Sequence, residues 1–330
     1  MNSEVSWPLN GIDGVEGVEI YATATFPSGV GPFPAVIFVA GSGSTDRNWN
    51  SPLIPGTNGS AALLAQALTA QGFVTLRYDK VAAGPHAREN MTRLIGKVSM
   101  DSHRCELTGG LQWLAAQPQV DANHLFVLTN SEGGVHALNY VTQGPAVAVA
   151  GLVLTAPPAR PMGALARAQI AAQLGAVPGG DALLAAYDAA MADFAAGREV
   201  NVDAQLPEML RVVIQSVTAP INQPFARELW VFDTVELLPQ VSNPVLILIG
   251  KKDIQVDWQV DGALLEPLTH TQRNITLVYA EDANHVLKHE PRPRAEFTPA
   301  EAVASYSADS TTLDAQALET ITRWLKVHAA

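Results

Sequence analysis

The stretch "LFVLTNSEGGVHAL", Leu125 to Leu138, decides how the chain is read. An apolar run of strand length stops at Ser131 and continues through Gly133 and Gly134 into a helical pattern. Two readings compete. Ser131 can cap the helix, because a serine oxygen accepts a hydrogen bond from an unpaired N–H at a helix start. Alternatively, it is a nucleophile presented on a sharp strand-to-helix turn, with Thr129 standing in the first Gly position of the G-x-S-x-G pattern. The residues on either side of this stretch have to choose between them.

Short β-branched and apolar runs alternate with helical patterns on both sides, which predicts an α/β fold with a mostly parallel central sheet flanked by helices. The predicted strands are "AVIFVA" (Ala35 to Ala40), "FVTLRYD" (Phe73 to Asp79), "HLFVLT" (His124 to Thr129), "GLVLTAP" (Gly151 to Pro157), "PVLILIG" (Pro244 to Gly250) and "ITLVYA" (Ile275 to Ala280). Between the first two, "SAALLAQALTAQG" places Leu63, Leu64, Ala67 and Leu68 on one face and stops at Gly72. The rhythm breaks from Met162 to about Pro239, an Ala-rich helical interval without a strand. This predicts a core of residues 1–161 and 240–330 and a helical cap, or lid, of residues 162–239. The polar, Pro-containing segment from His289 to Asp314 is expected to be a surface loop before the last helix.

The chain has 330 residues, of which 48% are hydrophobic and 16% charged, and a net charge of -12. Acidity of this size repels nucleic acid and anionic membranes, so neither is expected as a partner; a small-molecule substrate is. Cys105 is the only cysteine, which excludes an intramolecular disulfide and a cysteine metal site. On its helical pattern it is expected to be a small buried hydrophobe. No apolar run reaches the roughly 18 residues of a membrane span. The first residues lack the basic and apolar regions of a signal peptide, so the default location is cytoplasmic, and a secreted protein whose leader had been cleaved would read the same.

Ligands of open α/β sheets gather beyond the carboxyl ends of the strands. Four such places carry chemistry: "GSGSTDRNWN" after the first predicted strand, "NSEGG" after the third, "KKDIQVDW" after the fifth and "EDANHVLKHE" after the sixth. They supply Ser131, Asp253 and His285, in that chain order. A serine hydroxyl attacks a carbonyl only if an imidazole takes its proton and a carboxylate fixes the imidazole tautomer. Asp257 is the alternative carboxylate and His289 the alternative histidine. The pair His285 and His289 lacks the intervening glutamate of H-E-x-x-H, so no zinc site is expected. "GSGSTD" lacks the third glycine of a dinucleotide loop and the Gly-Lys ending of a P-loop, so no cofactor is expected there.

These motifs resemble those of the α/β-hydrolases of the bacterial esterase and serine-aminopeptidase-like group, which carry "HGSGPTDRNGN", "LRYDKRG", "GHSEGG", "G..D..V" and "NH..K". Here they stand as "AGSGSTDRNWN" (Ala40 to Asn50), "LRYDKVAAG" (Leu76 to Gly84), "TNSEGG" (Thr129 to Gly134), "GKKDIQV" (Gly250 to Val256) and "NHVLK" (Asn284 to Lys288). The resemblance runs from about Pro32 to Lys288. It implies an α/β-hydrolase fold, Ser131 as nucleophile, His285 as general base and then acid, and Asp253 as the orienting carboxylate. It also implies an oxyanion hole made by the backbone N–H groups of Ser42 and Glu132. Thr129 for Gly, Ala40 for His and "DKVAAG" for "DKRG" depart from the pattern.

The expectation is a cofactor-free, metal-free serine hydrolase cleaving carboxylic esters through an acyl-enzyme. An amidase, peptidase, thioesterase or lactonase using the same triad, or a silent binding protein, is the alternative. Gly41, Trp49 and Trp258 are candidate pocket residues, and Asp46 is expected to pair with Arg47 to brace the first loop. His86, His103, His124, His136, His270 and His328 are read as surface or packing histidines. Oligomeric state is not readable.

Overall fold

The computed structural model describes residues 2–52, 54–175, 177–308 and 312–330, with backbone only at Ala172 and Pro299. Its strands are β1 (Asn2–Pro8), β2 (Glu19–Thr25), β3 (Phe33–Val39), β4 (Val74–Tyr78), β5 (Val120–Asn130), β6 (Gly151–Thr155), β7 (Val245–Gly250) and β8 (Ile275–Ala280). They form one eight-stranded sheet in the order β1-β2-β4-β3-β5-β6-β7-β8. β1 and β2 are antiparallel to their neighbours, and every later pairing is parallel. The predicted strands are all present. β1 and β2 are additional, and they form a hairpin at one edge.

The helices before the insertion are α1 (Ser60–Ala70), α2 (Ala87–Arg93), α3 (Met100–Ala115) and α4 (Gly133–Thr142). Those of the insertion are α5 (Met162–Leu174), α6 (Gly180–Ala195), α7 (Glu208–Thr218), α8 (Phe225–Val231) and α9 (Thr234–Leu237). α10 (Val260–Thr271), α11 (Pro299–Ser305) and α12 (Ala315–His328) complete the chain.

Alternation along each strand sends neighbouring side chains to opposite faces. Val36 and Phe38 of β3 join Leu64 and Leu68 of α1 and Ile321 and Leu325 of α12 on one side. Ile37 and Val39 join Leu107 and Leu111 of α3, Leu138 of α4 and Leu265 of α10 on the other. Both faces are covered, which is why the central strands read as continuous apolar runs rather than alternating ones.

From Met162 to Leu237 the insertion between β6 and β7 contains no strand among its described residues. It has its own apolar cluster, in which Ile170, Tyr187, Phe194, Leu210 and Ile214 are buried. It docks on the α3 and α4 side of the core: the Phe225 N–H donates to the Val98 oxygen at 2.9 Å, and the Met100 N–H donates to Glu228 at 2.7 Å.

β4 lies on one side of β3 and β5 on the other. Reversal of strand order opens a crevice at the carboxyl ends of β3 and β5. The loop beginning at Gly41 and the turn at Ser131 flank that crevice.

Candidate active site

Ser131 follows β5 directly and takes a φ of 53°. This left-handed conformation costs a side-chain-bearing residue roughly 1–2 kcal/mol. The surroundings fix it: the Ser131 N–H donates to the Thr155 oxygen and the Gly134 N–H to the Ser131 oxygen, both at 2.9 Å. Gly133 makes the turn possible, because a Cβ there would lie 2.5 Å from the Val39 oxygen. Ser131 therefore sits on a strained strand-to-helix elbow. It is not the cap of α4, whose N-cap position is Glu132 and has no side-chain cap. Thr129 does not prevent the turn. It is fully buried in β5, where its hydroxyl points toward the Val153 oxygen at 3.4 Å.

Asp253 follows β7 and His285 follows β8, and these strands are neighbours. The His285 Nδ1 lies 2.8 Å from the Asp253 Oδ2. The second oxygen of Asp253 accepts the N–H groups of Gln255 at 2.7 Å and Val256 at 3.0 Å. Asp253 is fully buried and His285 is 5% exposed. Asp257, the alternative carboxylate, instead accepts the Gln259 N–H and faces Arg294 at 3.3 Å. His289, the alternative histidine, lies 3.3 Å from Asp314. Lys251 and Lys252 pair with Glu281 and Asp282, which leaves Asp253 to the histidine.

Ser131 and His285 line one cavity of about 320 Å³. The Ser131 Oγ has no hydrogen-bond partner among the described residues, so the serine–imidazole bond is not made in this conformation. Such bonds often tighten only when substrate binds. The N–H groups of Ser42 and Glu132 likewise have no acceptor among the described residues. Gly41, Ser42 and Trp49 line the cavity.

Several expectations change here. Trp258 does not line the cavity: it packs edge-on against Tyr279, with centroids 5.5 Å apart, beneath the Lys251 ammonium. Asp46 does not pair with Arg47. It accepts the N–H groups of Asn48 and Asn50, while Arg47 clasps Asp79 at 2.8 and 3.0 Å and reaches Glu4 on β1. The loop is thus braced against strands rather than within itself.

The segment expected as a surface loop contains α11, and Val303, Tyr306 and Ser307 form a wall of the cavity; residues 309–311 of that segment lie outside the described residues. Among the described residues, none of 162–239 lines the cavity, so the described insertion does not shape this wall. Cys105 is half-buried rather than buried.

Residues of the quoted motifs to which the sequence assigned no role support the site. The Asn130 amide donates to the His285 carbonyl oxygen at 2.9 Å, tying the histidine loop to the residue before the elbow. Asn284 accepts the N–H groups of Val286 and Lys288, and the Lys288 ammonium donates to the Tyr306 oxygen at 2.6 Å. The "NHVLK" motif thereby builds the histidine turn and pins the cavity wall.

His103 and His136 belong to a buried ionic cluster with Lys80, Glu106 and Glu132. Burial works to raise the Glu132 carboxyl, but the Lys80 ammonium and the hydrogen bond from His136 hold it well below the usual carboxylate range. Burial, together with the nearby His103, pushes His136 down to about 4.

The sequence profile of the alpha/beta hydrolase family matches residues 36–300. The chain belongs to the alpha/beta hydrolase family. It is 23% identical over 269 residues to esterase EstD of Thermotoga maritima, a match covering 80% of this chain and 57% of that protein. The chain thus spans little more than half the length of that relative. Among solved structures, the fold is similar to alpha/beta hydrolase GrgF from Penicillium sp. sh18, with a TM-score of 0.55 and 15% identity over 100% of this chain and 99% of that one. It is also similar to Pyrococcus furiosus esterase Pf2001, with a TM-score of 0.54 and 16% identity over 100% and 91%. Among the described residues, no group of three acidic, histidine or cysteine side chains could hold a metal, and no helix is long and apolar enough to cross a membrane.

Proposed function

We propose that the protein is a carboxylic ester hydrolase acting through a Ser131, His285 and Asp253 triad. The observation that carries the reading is the buried His285–Asp253 pair at 2.8 Å, opening on the same cavity as a serine held at a left-handed elbow.

The Ser131 oxygen attacks the ester carbonyl as His285 Nε2 takes its proton, and the carbonyl π electrons move onto oxygen. Asp253 keeps the proton of the other ring nitrogen on Nδ1 and balances the imidazolium. The oxyanion lies against the Ser42 and Glu132 N–H groups, and one such donor is worth about 3 kcal/mol because it is aimed before charge develops. Collapse breaks the bond to the alcohol, which leaves with the His285 proton. Water, deprotonated by His285, then releases the acid and restores Ser131.

An uncharged substrate fits best. Apart from His285, the lining side chains among the described residues are aliphatic, aromatic, hydroxyl or amide groups, and none of these is a carboxylate that would hold the ammonium group of a peptide N-terminus. The name of EstD, an esterase, agrees with this reading.

The test is turnover of p-nitrophenyl esters from acetate to octanoate by the wild type and by Ser131→Ala. Wild-type turnover with a loss of at least about 10⁴-fold in folded Ser131→Ala is expected. Equal rates in the two proteins would refute the reading.

A further inference from the structure

Lys80 stands directly behind the site, in a motif whose role the triad leaves unassigned. It lies just past the end of β4, is 3% exposed, and donates to the Gly41 carbonyl oxygen. Its ammonium also lies 3.6 Å from the Glu132 Oε1, which in turn is 3.2 Å from His136 Nε2.

One group it holds shares a peptide unit with the Ser42 N–H, and the other is the side chain of Glu132, whose own N–H is the second free donor. The Gly41 carbonyl and the Ser42 N–H are parts of one peptide unit. In a planar trans peptide these bonds point in opposite directions. Drawing the Gly41 oxygen inward to Lys80 therefore turns the Ser42 N–H outward, toward the cavity that Ser42 lines.

The loop needs such a fixing point. Gly41 is buried, but Ser42, Gly43 and Ser44 are exposed, and the next hold on the loop is the Thr45 hydroxyl on the Ser42 oxygen at 2.8 Å. On the other side, the Glu132 side chain is clamped between Lys80 and His136 at the first turn after the elbow.

We propose that Lys80 is a positioning residue that aligns both donors of the oxyanion hole, fixing the 41–42 peptide through the Gly41 oxygen and the 131–132 peptide through the Glu132 carboxylate. The proposal rests on the assignment of Ser131 as nucleophile. The ammonium also polarises the 41–42 peptide, because hydrogen bonding to a carbonyl oxygen strengthens donation by the N–H of the same chain of bonds. Lys80 touches no reacting atom; it acts through the peptides it holds.

The experiment uses Lys80→Met, which keeps the length and loses the donor, and Lys80→Met/Glu132→Gln, which also removes the stranded carboxylate. Each is assayed on p-nitrophenyl butyrate and titrated with an alkyl trifluoromethyl ketone, whose adduct with a serine oxygen carries the oxyanion. Loss of the alignment should lower kcat by about 10²-fold or more in both variants. KM should change little, and ketone affinity should fall by about the same factor as kcat/KM.

A merely structural Lys80 predicts otherwise: the double variant, relieved of its buried charge, would recover wild-type kcat and ketone affinity. That recovery would overturn the proposal. So would unchanged ketone affinity in either folded variant. If Lys80→Met does not fold, the double variant decides alone; if that also fails to fold, Glu132→Gln decides, with kcat and ketone affinity both expected to fall between about 3- and 10-fold because only the Gly41 anchor remains, and unchanged kcat and ketone affinity overturning the proposal. Ser131→Ala separates the two claims: wild-type turnover in that variant would overturn the nucleophile assignment on which the proposal rests, whereas lost turnover there with unchanged ketone affinity in the Lys80 variants would overturn the alignment alone.

Discussion

At Ser131 the backbone adopts a φ of 53°, and the residues around it explain why the strain persists. The Thr155 oxygen holds its N–H, and Gly133 lets the turn pass against the Val39 oxygen. The His285 imidazole is oriented by one oxygen of Asp253 while two backbone N–H groups fix the other. An orienting carboxylate acts through the tautomer it enforces, so Asp253→Asn should lower kcat by about 10⁴-fold with the protein still folded. Asp257→Asn should change kcat less than about twofold, because Asp257 contacts neither ring nor cavity. Steady-state kinetics of the two variants check the assignment, and the reverse ranking would overturn it.

At the scale of elements, the cavity is walled by the loop after β3 and by the segment from Val303 to Ser307, not by the described residues of the helical insertion. Chain-length preference should therefore follow the short helix α11. Val303→Trp should shift the optimum among p-nitrophenyl esters toward acetate, whereas a tryptophan at an exposed position of the insertion, Val212→Trp, should leave the ranking of esters unchanged. A ranking altered only by the insertion variant would contradict this.

How much of this was legible follows from which interactions are local. The central strands were readable because each is buried on both faces and therefore continuously apolar. β1 and β2 were not: "NSEVSWP" is short and polar and buries only Trp7. The positions of Ser131, Asp253 and His285 beyond the strand ends were readable because each follows a strong strand. The Asn130 and Lys288 braces link residues 155 and 18 positions apart to their partners, and no spacing rule exposes such pairs. The α11 wall was hidden by its own composition, since "HEPRPRAEFTPAEAVASYS" reads as a polar loop until Tyr306 is seen to be 1% exposed.

On the scale of the whole molecule, the sheet, α3, α4 and α8 close over an ionic cluster that makes folding sensitive to acid. Phe225 of α8 lies against both His103 and His136, with ring centroids 4.7 and 5.8 Å away. His136 titrates near 6.5 in the unfolded chain and near 4 in the folded one. Between these values the unfolded chain binds the extra proton, so stability falls as pH falls, by up to about 1.4 kcal/mol per pH unit for one such group. Glu132 acts in the same sense. Its lowered carboxyl gives stability that is present above about 4.5 and is lost as pH drops further. Urea unfolding from pH 7 to 4 should show this decline, with a shallower slope in His136→Asn, and an identical slope would contradict it.

The most direct measurement is the intact mass of the protein after reaction with a fluorophosphonate, followed by peptide mapping. An activated serine displaces fluoride and keeps the phosphonyl group, so one adduct is predicted, on the peptide carrying Ser131 and missing in Ser131→Ala. No adduct on folded protein, or an adduct on any other serine, would contradict the account.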